Sequence, residues 1–505
     1  MRYDLGKSSI LLSSLIVLAA SKATTINVSF GSKDAKGPVD PSFPGFAFEQ
    51  ASFYDYAFDE CGKPNAFSQN LIKSVLDRTG GTPLLRVGGT SGDHAQYNAD
   101  QKEPVSCRAT ACGPFIPQDK TLKIGPSYFE AFKNFPGAEY EFMVPFDRKD
   151  LDNTLAWTAA GLKVIDKEAL YAIEIGNEPN FYSWWSPKAY LDKFMEFATA
   201  ITEKHPGLPG KRIFQGLDVA SGSAEKLSTE KAFTDKLNQN ASSIKQIAYH
   251  YYQSVAPENY EGLQKSILHT DTTQRLSVFE DDIKYLRQHH QDIGFVLSEV
   301  GDNLGKGGDL AFRNSLATAI WAIDFQLHAM SIGVDRVNFQ QIYKPGFCMW
   351  EPVNSTHWDI ATPMVRPNYY SQPFVADFIG KSGKTKVASI LSEEKLAAYA
   401  AYEDGKLARV AIANLNLGKA SGEDRKKTDI VLDDLAKSVE SVTVHQLNSP
   451  HGSLAQTDIT YKGLEWSFES KGLQKQVRDD SKTVNIKGGK VTISIEEASA
   501  IILEV

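Results

Sequence analysis

From about residue 44 to about residue 380 the chain alternates short apolar runs with stretches whose apolar residues recur every three to four positions. Eight of the short runs read as strands: "GFAFE" (45–49), "PLLRVGG" (83–89), "YEFMVPF" (140–146), "YAIEIGNE" (171–178), "RIFQGLD" (212–218), "IKQIAYHYY" (244–252), "GFVLSEV" (294–300) and "DRVNFQQIY" (335–343). Strands separated by helical patterns indicate parallel β/α architecture, and eight of them close a barrel. In "PKAYLDKFMEFATAITEKH" the residues Leu191, Phe194, Met195, Ala198 and Ile201 mark one helical face, behind Ser186 as cap and Pro187 in the first turn. "DLAFRNSLATAIWAIDFQLHAM" reads as a second helix with a wider apolar face.

After about Gly383 the period shortens. The alternating runs "KLARVAIANL", "VESVTVHQL", "KTVNIKGGKVTISI" and "SAIILEV" predict an antiparallel β-sandwich domain over 384–505, following an α/β (β/α)8 barrel over 44–383. "TTINVSF" (24–30) has no partner among the eight barrel strands, so 24–43 is expected to join the β domain.

The first residues alter the setting. Arg2 and Lys7 precede an apolar run over 10–20, and Ser21 and Ala23 suit cleavage, so 1–23 reads as a signal peptide and the protein as secreted. Glycosylation triplets begin at Asn27, Asn240 and Asn354. The four cysteines are too few for a disulfide scaffold; Cys107 and Cys112 are expected to close a small loop, and a Cys61–Cys348 pairing stays open. Formal charge is −8, and about −10 without residues 1–23; the densest basic run is only Arg425-Lys426-Lys427. That argues against nucleic-acid or anionic-membrane partners. No later stretch approaches about 20 apolar residues, the length of a membrane span. A monomer is expected.

In a β/α barrel the reacting groups lie at the C-terminal ends of the strands. Glu178 ends the fourth run and Glu299 the seventh. By alternation Ala172, Glu174, Gly176 and Glu178 share one side, and Phe295, Leu297 and Glu299 share one side of theirs. Two carboxylates meeting across the mouth can divide the acid and nucleophile roles of glycoside cleavage, with retention at roughly 5–5.5 Å and inversion at wider spacing. Glu174 lies deeper, where a structural partner such as Arg86 fits. Arg86 either braces the barrel or touches substrate; His250 either is satisfied within its strand or serves the site; Tyr343 either meets a substrate carboxylate or walls the pocket. Trp184 and Trp185 either stack on sugar or form a small local core.

"GNEP" (176–179), followed 121 residues later by the glutamate of "LSEVG", resembles the large clan of retaining β/α-barrel glycosidases. Within it, "FAFEQASF" (46–53), "LLRVGGTSGD" (84–93), "YHYYQ" (249–253) and "HQLNSPHGSLAQTDITYKG" most resemble glycoside hydrolase family 79, which contains β-glucuronidases and heparanases. The resemblance implies Glu178 as acid/base, Glu299 as nucleophile, Asn177 on the sugar 2-hydroxyl, Glu49 on other hydroxyls and Tyr251 beside the nucleophile or the sugar. It also implies substrate-binding roles for His250, Arg86 and Tyr343. One departure stands out: "VGDNLGKGG" follows Glu299 where some relatives carry a tyrosine for the uronic carboxylate.

The expected function is an exo-acting retaining β-glucuronidase releasing glucuronic acid or its 4-O-methyl ether from glycans with terminal β-linked uronic acid. The alternatives are a neutral-sugar glycosidase of the same clan and a non-catalytic carbohydrate-binding or wall protein. "GTSGD" lacks the last glycine of a nucleophile elbow, "GKGGDL" fails the dinucleotide fingerprint, and no H-E-x-x-H or C-x-x-C occurs. No cofactor and no metal are expected.

Overall fold

The computed structural model describes residues 24–28, 30–113, 121–208, 210, 212–220, 227–304, 310–419 and 424–505. The predicted signal peptide lies outside the described residues.

Eight parallel strands close a barrel in chain order: Pro44–Glu49, Leu84–Gly88, Glu139–Val144, Leu170–Ile175, Phe214–Ala220, Ile244–Val255, Gly294–Leu304 and Arg336–Gln341. The eighth pairs with the first, Val337 opposite Pro44 and Gln341 opposite Phe48. Helices cover the outside. Pro187–Lys204 begins as its sequence predicts, with the Ser186 hydroxyl accepting from the Ala189 amide at 3.2 Å. Among the described residues no helix is long and apolar enough to cross a membrane.

The C-terminal region is a two-sheet β-sandwich. Thr24–Asn27 joins it, running parallel to Lys427–Asp433 in a three-stranded sheet completed by Val491–Glu496. The larger sheet holds Lys386–Glu393, Leu396–Glu403, Lys406–Asn414, Ser499–Glu504 and Ser441–Asn448. Ile26, Ile412, Ile430, Ile493 and Leu503 fill the space between the sheets. "KTVNIKGGKVTISI" does not fold back on itself: Ser481–Asn485 pairs with Ser441–Asn448, whereas Val491–Glu496 crosses to the other sheet.

The helix Leu316–Ile332 joins the two parts. It is buried on nearly every face, as a helix apolar all round must be. Its one acidic residue, Asp324, is satisfied internally: Tyr399 of the sandwich donates to it at 2.6 Å, and His269 Nδ1 lies 3.0 Å from both its oxygens. His269 Nε2 meets Ser392 at 2.8 Å, so one buried network spans both domains.

Cys107 and Cys112 are bonded; Cys61 is exposed and free, and Cys348 is buried and free.

Candidate active site

The barrel interior is polar. Inward positions of four strands carry Glu141, Gln215, Gln246, Arg336 and Asn338, and they bond to one another: Asn338 and Gln246 donate to Glu141 at 2.8 and 2.7 Å, Gln246 also donates to Gln215, and Arg336 donates to Gln246 at 2.7 Å and to Glu141. Above this layer Arg86 holds the floor of the mouth. Its guanidinium grips Glu174 with Nε at 2.9 Å and Nη2 at 2.6 Å, reaches Glu299 Oε2 with Nη1 at 2.6 Å, and donates to Asn177 Oδ1 at 2.7 Å. Arg86 is fully buried, and Glu174, Glu299 and Asp218 outweigh burial to hold its pKa well above the ordinary value.

The fourth strand stops at Ile175, not at Glu178. Gly176 turns the chain at φ 83°, where an added Cβ would lie 2.5 Å from the Tyr182 hydroxyl, so glycine alone fits. Alternation therefore does not carry through to Glu178. That residue sits at φ 47°, a left-handed conformation rare before proline, in the short turn that opens Pro179–Phe181. Hydrogen bonds hold the strain: the Glu178 amide donates to Asp218 O at 3.0 Å, and the Asn177 amide donates to the Tyr182 oxygen at 3.0 Å and to Asp93 at 3.2 Å.

The seventh strand reaches the mouth by a different device. Phe295 packs on Tyr249 and Phe279, 5.6 and 5.7 Å between ring centres, and so faces the helices. Ser298 faces inward and donates to Asp218 at 3.0 Å. A register shift between Leu297 and Glu299 then turns Glu299 inward as well. Phe295 and Glu299 thus do not share a side, contrary to the alternation expected from sequence.

Glu178 and Glu299 present carboxylate oxygens within 4.8 Å of each other, with a ring nitrogen of His250 completing the group. His250 Nδ1 is 3.2 Å from Glu178 Oε1 and 3.8 Å from Glu299 Oε2. The two carboxylates live in unequal surroundings. Glu299 is buried, which alone would raise its pKa, but His250, Arg86 and Tyr252 overcome this and hold it below the usual carboxylate range. Among the described residues Glu178 bonds through its side chain to His250 alone, and that side chain is 19 % exposed. Burial would lower His250, yet Glu299, Asp218 and Glu178 push it up to about 10.

Tyr252 donates its hydroxyl to Glu299 Oε1 at 2.7 Å. Tyr251 is a correction: its ring stacks on Phe325 of the outer helix, 4.9 Å between centres, and its hydroxyl donates to Gln253. Alternation from Gln246 through His250 puts Tyr252 inside and Tyr251 outside. Tyr343 is a second correction. It is fully buried, its hydroxyl donates to the Val353 carbonyl, and it contributes nothing to the mouth. Trp184 and Trp185 form a local core with Phe146, Tyr182 and Tyr190, and the Trp184 indole donates to Asp147 O at 2.7 Å.

Glu49 ends the first strand. The Ser91 amide donates to its Oε1 at 2.8 Å, and an added Cβ on Gly89 (φ 98°) would lie 2.1 Å from Oε2. Burial, then the charge of Glu299, raise Glu49 to about 7 against the pull of Ser91. Gln340 was not singled out from sequence, although it shares the inward face of Arg336 and Asn338; it is buried, and both its amide atoms lack a partner among the described residues.

Among the described residues two side-chain trios have metal-like spacing, Glu174/Asp218/His250 and Glu178/His250/Glu299. Both depend on a histidine held as a cation by carboxylates, and Glu174 and Glu299 are already occupied by Arg86. This donor set does not suit a cation.

A family model described as the glycosyl hydrolase family 79 C-terminal beta domain matches residues 398–502. The match covers the C-terminal domain, and the curated relatives are similar over most of the chain. It is 28 % identical over 450 residues to a β-glucuronidase of Neurospora crassa, covering 81 % of this chain and 79 % of that one. It is 27 % identical over 513 residues to a β-glucuronidase of Aspergillus niger, covering 93 % and 92 %. A 4-O-α-L-rhamnosyl-β-D-glucuronidase of Fusarium oxysporum 12S shares the fold with a TM-score of 0.77 at 19 % identity, over 95 % of this chain and 100 % of that one. The chain is a glycoside hydrolase.

Proposed function

We propose that the protein is a secreted, exo-acting retaining β-glucuronidase in which Glu299 is the nucleophile and Glu178 the acid/base. The observation that carries this reading is the pair of carboxylates with oxygens within 4.8 Å at the barrel mouth, close as in a retaining pair and too close for the wider spacing of an inverting one. Glu299, kept ionised by His250, Arg86 and Tyr252, attacks the anomeric carbon while Glu178 protonates the departing oxygen. Forming the ester removes a negative charge beside Glu178, and the same carboxylate then takes a proton from the incoming water. Asn177, fixed by Arg86, offers its side-chain amide nitrogen to the sugar 2-hydroxyl, a contact that strengthens as positive charge develops on the ring.

The two fungal β-glucuronidases and the Fusarium enzyme support a glucuronide substrate. The apolar run over 10–20, exposed Asn240 and Asn354 and the Cys107–Cys112 bond support secretion. A neutral sugar is the second reading, favoured by one fact: the Arg86 guanidinium is taken up by Glu174, Glu299 and Asn177 and cannot also bind a uronate.

The test compares an aryl β-glucuronide with the matching β-glucoside, using wild type and Glu299→Gln. Release from the glucuronide alone, lost in the variant, is expected. Cleavage of the glucoside instead would transfer the assignment to neutral sugars, and full turnover by Glu299→Gln would remove Glu299 from the nucleophile role.

A further inference from the structure

We propose that the cleft beside Glu178 is a leaving-group subsite shaped for a pyranose ring, with Phe181 as its stacking platform. The inference rests on the acid/base role of Glu178, because the group that protonates the departing oxygen must lie on the leaving-group side. A cleft of about 520 Å³ opens there, continuous with Asn177 and Glu178 and lined by Thr90, His94, Asp147, Arg148, Phe181 and Ser183. That volume lies within the range of small-ligand sites.

Phe181 is 72 % exposed, against 38 % for Phe468, the next aromatic among the exposed large apolar side chains of the described residues. Single exposed apolar residues are ordinary, but this one projects from a turn held on both sides. Asn180 accepts from the Ala220 amide at 2.9 Å, and buried Tyr182 is bonded to Asp93 and to the Asn177 amide. The turn starts at Glu178 itself, so ring and acid/base share one short rigid segment. Polar groups line the same cleft: His94 Nε2 meets Asp147 Oδ2 at 3.0 Å, and the Asp147 carbonyl is fixed by Trp184. A fixed aromatic face with hydroxyl-binding groups at its margin suits a sugar, which has an apolar face and a polar rim. The leaving group that fits is another sugar of the glycan rather than a small alcohol.

The experiment compares β-glucuronyl fluoride, whose departing fluoride places no sugar in the cleft, with a β-glucuronyl-hexose disaccharide. In Phe181→Ala the ratio of kcat/KM for disaccharide to fluoride is expected to fall about tenfold, the scale of one lost ring contact, and Phe181→Trp should restore it. An unchanged ratio, or a fall that Phe181→Trp does not reverse, would overturn the subsite. Wild type inert toward the glucuronyl pair but active on glucosyl fluoride and a glucosyl-hexose would instead overturn the uronic reading, and the same ratio on that pair would still decide the role of Phe181.

Discussion

Tyr252→Phe removes one hydroxyl from the mouth and leaves the ring. That hydroxyl donates to Glu299 Oε1 at 2.7 Å and is one of three groups, after His250 and Arg86, that keep the carboxyl below its usual range against the effect of burial. A hydrogen bond to a charged group contributes about 1.5–3 kcal/mol, and 1.36 kcal/mol corresponds to tenfold in a protonation equilibrium. As the proposed nucleophile Glu299 must be ionised to attack, so activity should be lost as pH falls through its pKa. Weakening the ionised form raises that pKa, and the acid limb of kcat/KM should move upward by about one to two pH units. The assay is kcat/KM against pH on an aryl β-glucuronide for wild type, Tyr252→Phe and Tyr251→Phe. Among the described residues the Tyr251 hydroxyl meets Gln253 alone; removing it should cost about 1–3 kcal/mol of stability through an unmet buried acceptor and leave the limb where it was. A Tyr252→Phe profile that superimposes on wild type, or a limb moved by Tyr251→Phe, would refute the reasoning.

Gln340→Leu should lower kcat/KM by about tenfold through lost contacts to the sugar, while raising the denaturation midpoint because an unpaired buried amide is gone; unchanged kinetics would remove Gln340 from substrate contact. Asp324→Ala strands Tyr399 and His269 and should cost about 3–5 kcal/mol, read as a lower urea midpoint with barrel and sandwich unfolding together; a sandwich that melts alone while activity persists would argue against the coupling. Burial would lower the pKa of His269, but Asp324 raises it, so this pair's stabilisation is full below the unfolded histidine value of about 6.5 and fades as pH rises through the folded one. Wild type should therefore lose stability on going to alkaline pH, and Asp324→Ala should lose less.

The barrel and the sandwich were legible because their periods differ and the eight strand runs are separated by helical patterns. Positions where local geometry departs from the period were not. Glu178 lies beyond its strand after a left-handed turn, and Glu299 faces inward only because of a bulge. The two departures leave both carboxylates at the mouth, where alternation alone would not have put them. Tyr252 was available from the same rule: counting from His250 by twos excludes Tyr251. Leu396–Glu403, "LAAYAAYE", was missed as a strand because alanine favours helix over strand; its small side chains instead leave room for the helix Leu316–Ile332 to pack against the sheet. Tyr343 follows the eighth strand, where the chain leaves the barrel wall and the tyrosine turns into the core.

The polar interior explains how a strained loop and a bulge can give a defined pair. Arg86 contacts Glu174, Glu299 and Asn177 at once, so Glu299 and the side chain preceding Glu178 are fixed by one planar cation. A planar guanidinium holds direction as well as charge, and lysine would keep the charge without the fork. Beneath it, the mutual bonds of Glu141, Gln246, Arg336 and Asn338 leave little freedom for the strands to slide. Buried ion pairs of this kind add little net stability, because desolvation offsets their attraction. Apolar packing outside the barrel offsets that cost, through the aromatic cluster of Phe48, Phe53, Tyr56, Phe132, Phe135 and Trp350. Stability thus comes chiefly from the outer layer and geometry from the inner one, and inward substitutions should alter catalysis more than melting wherever they leave no charge unpaired.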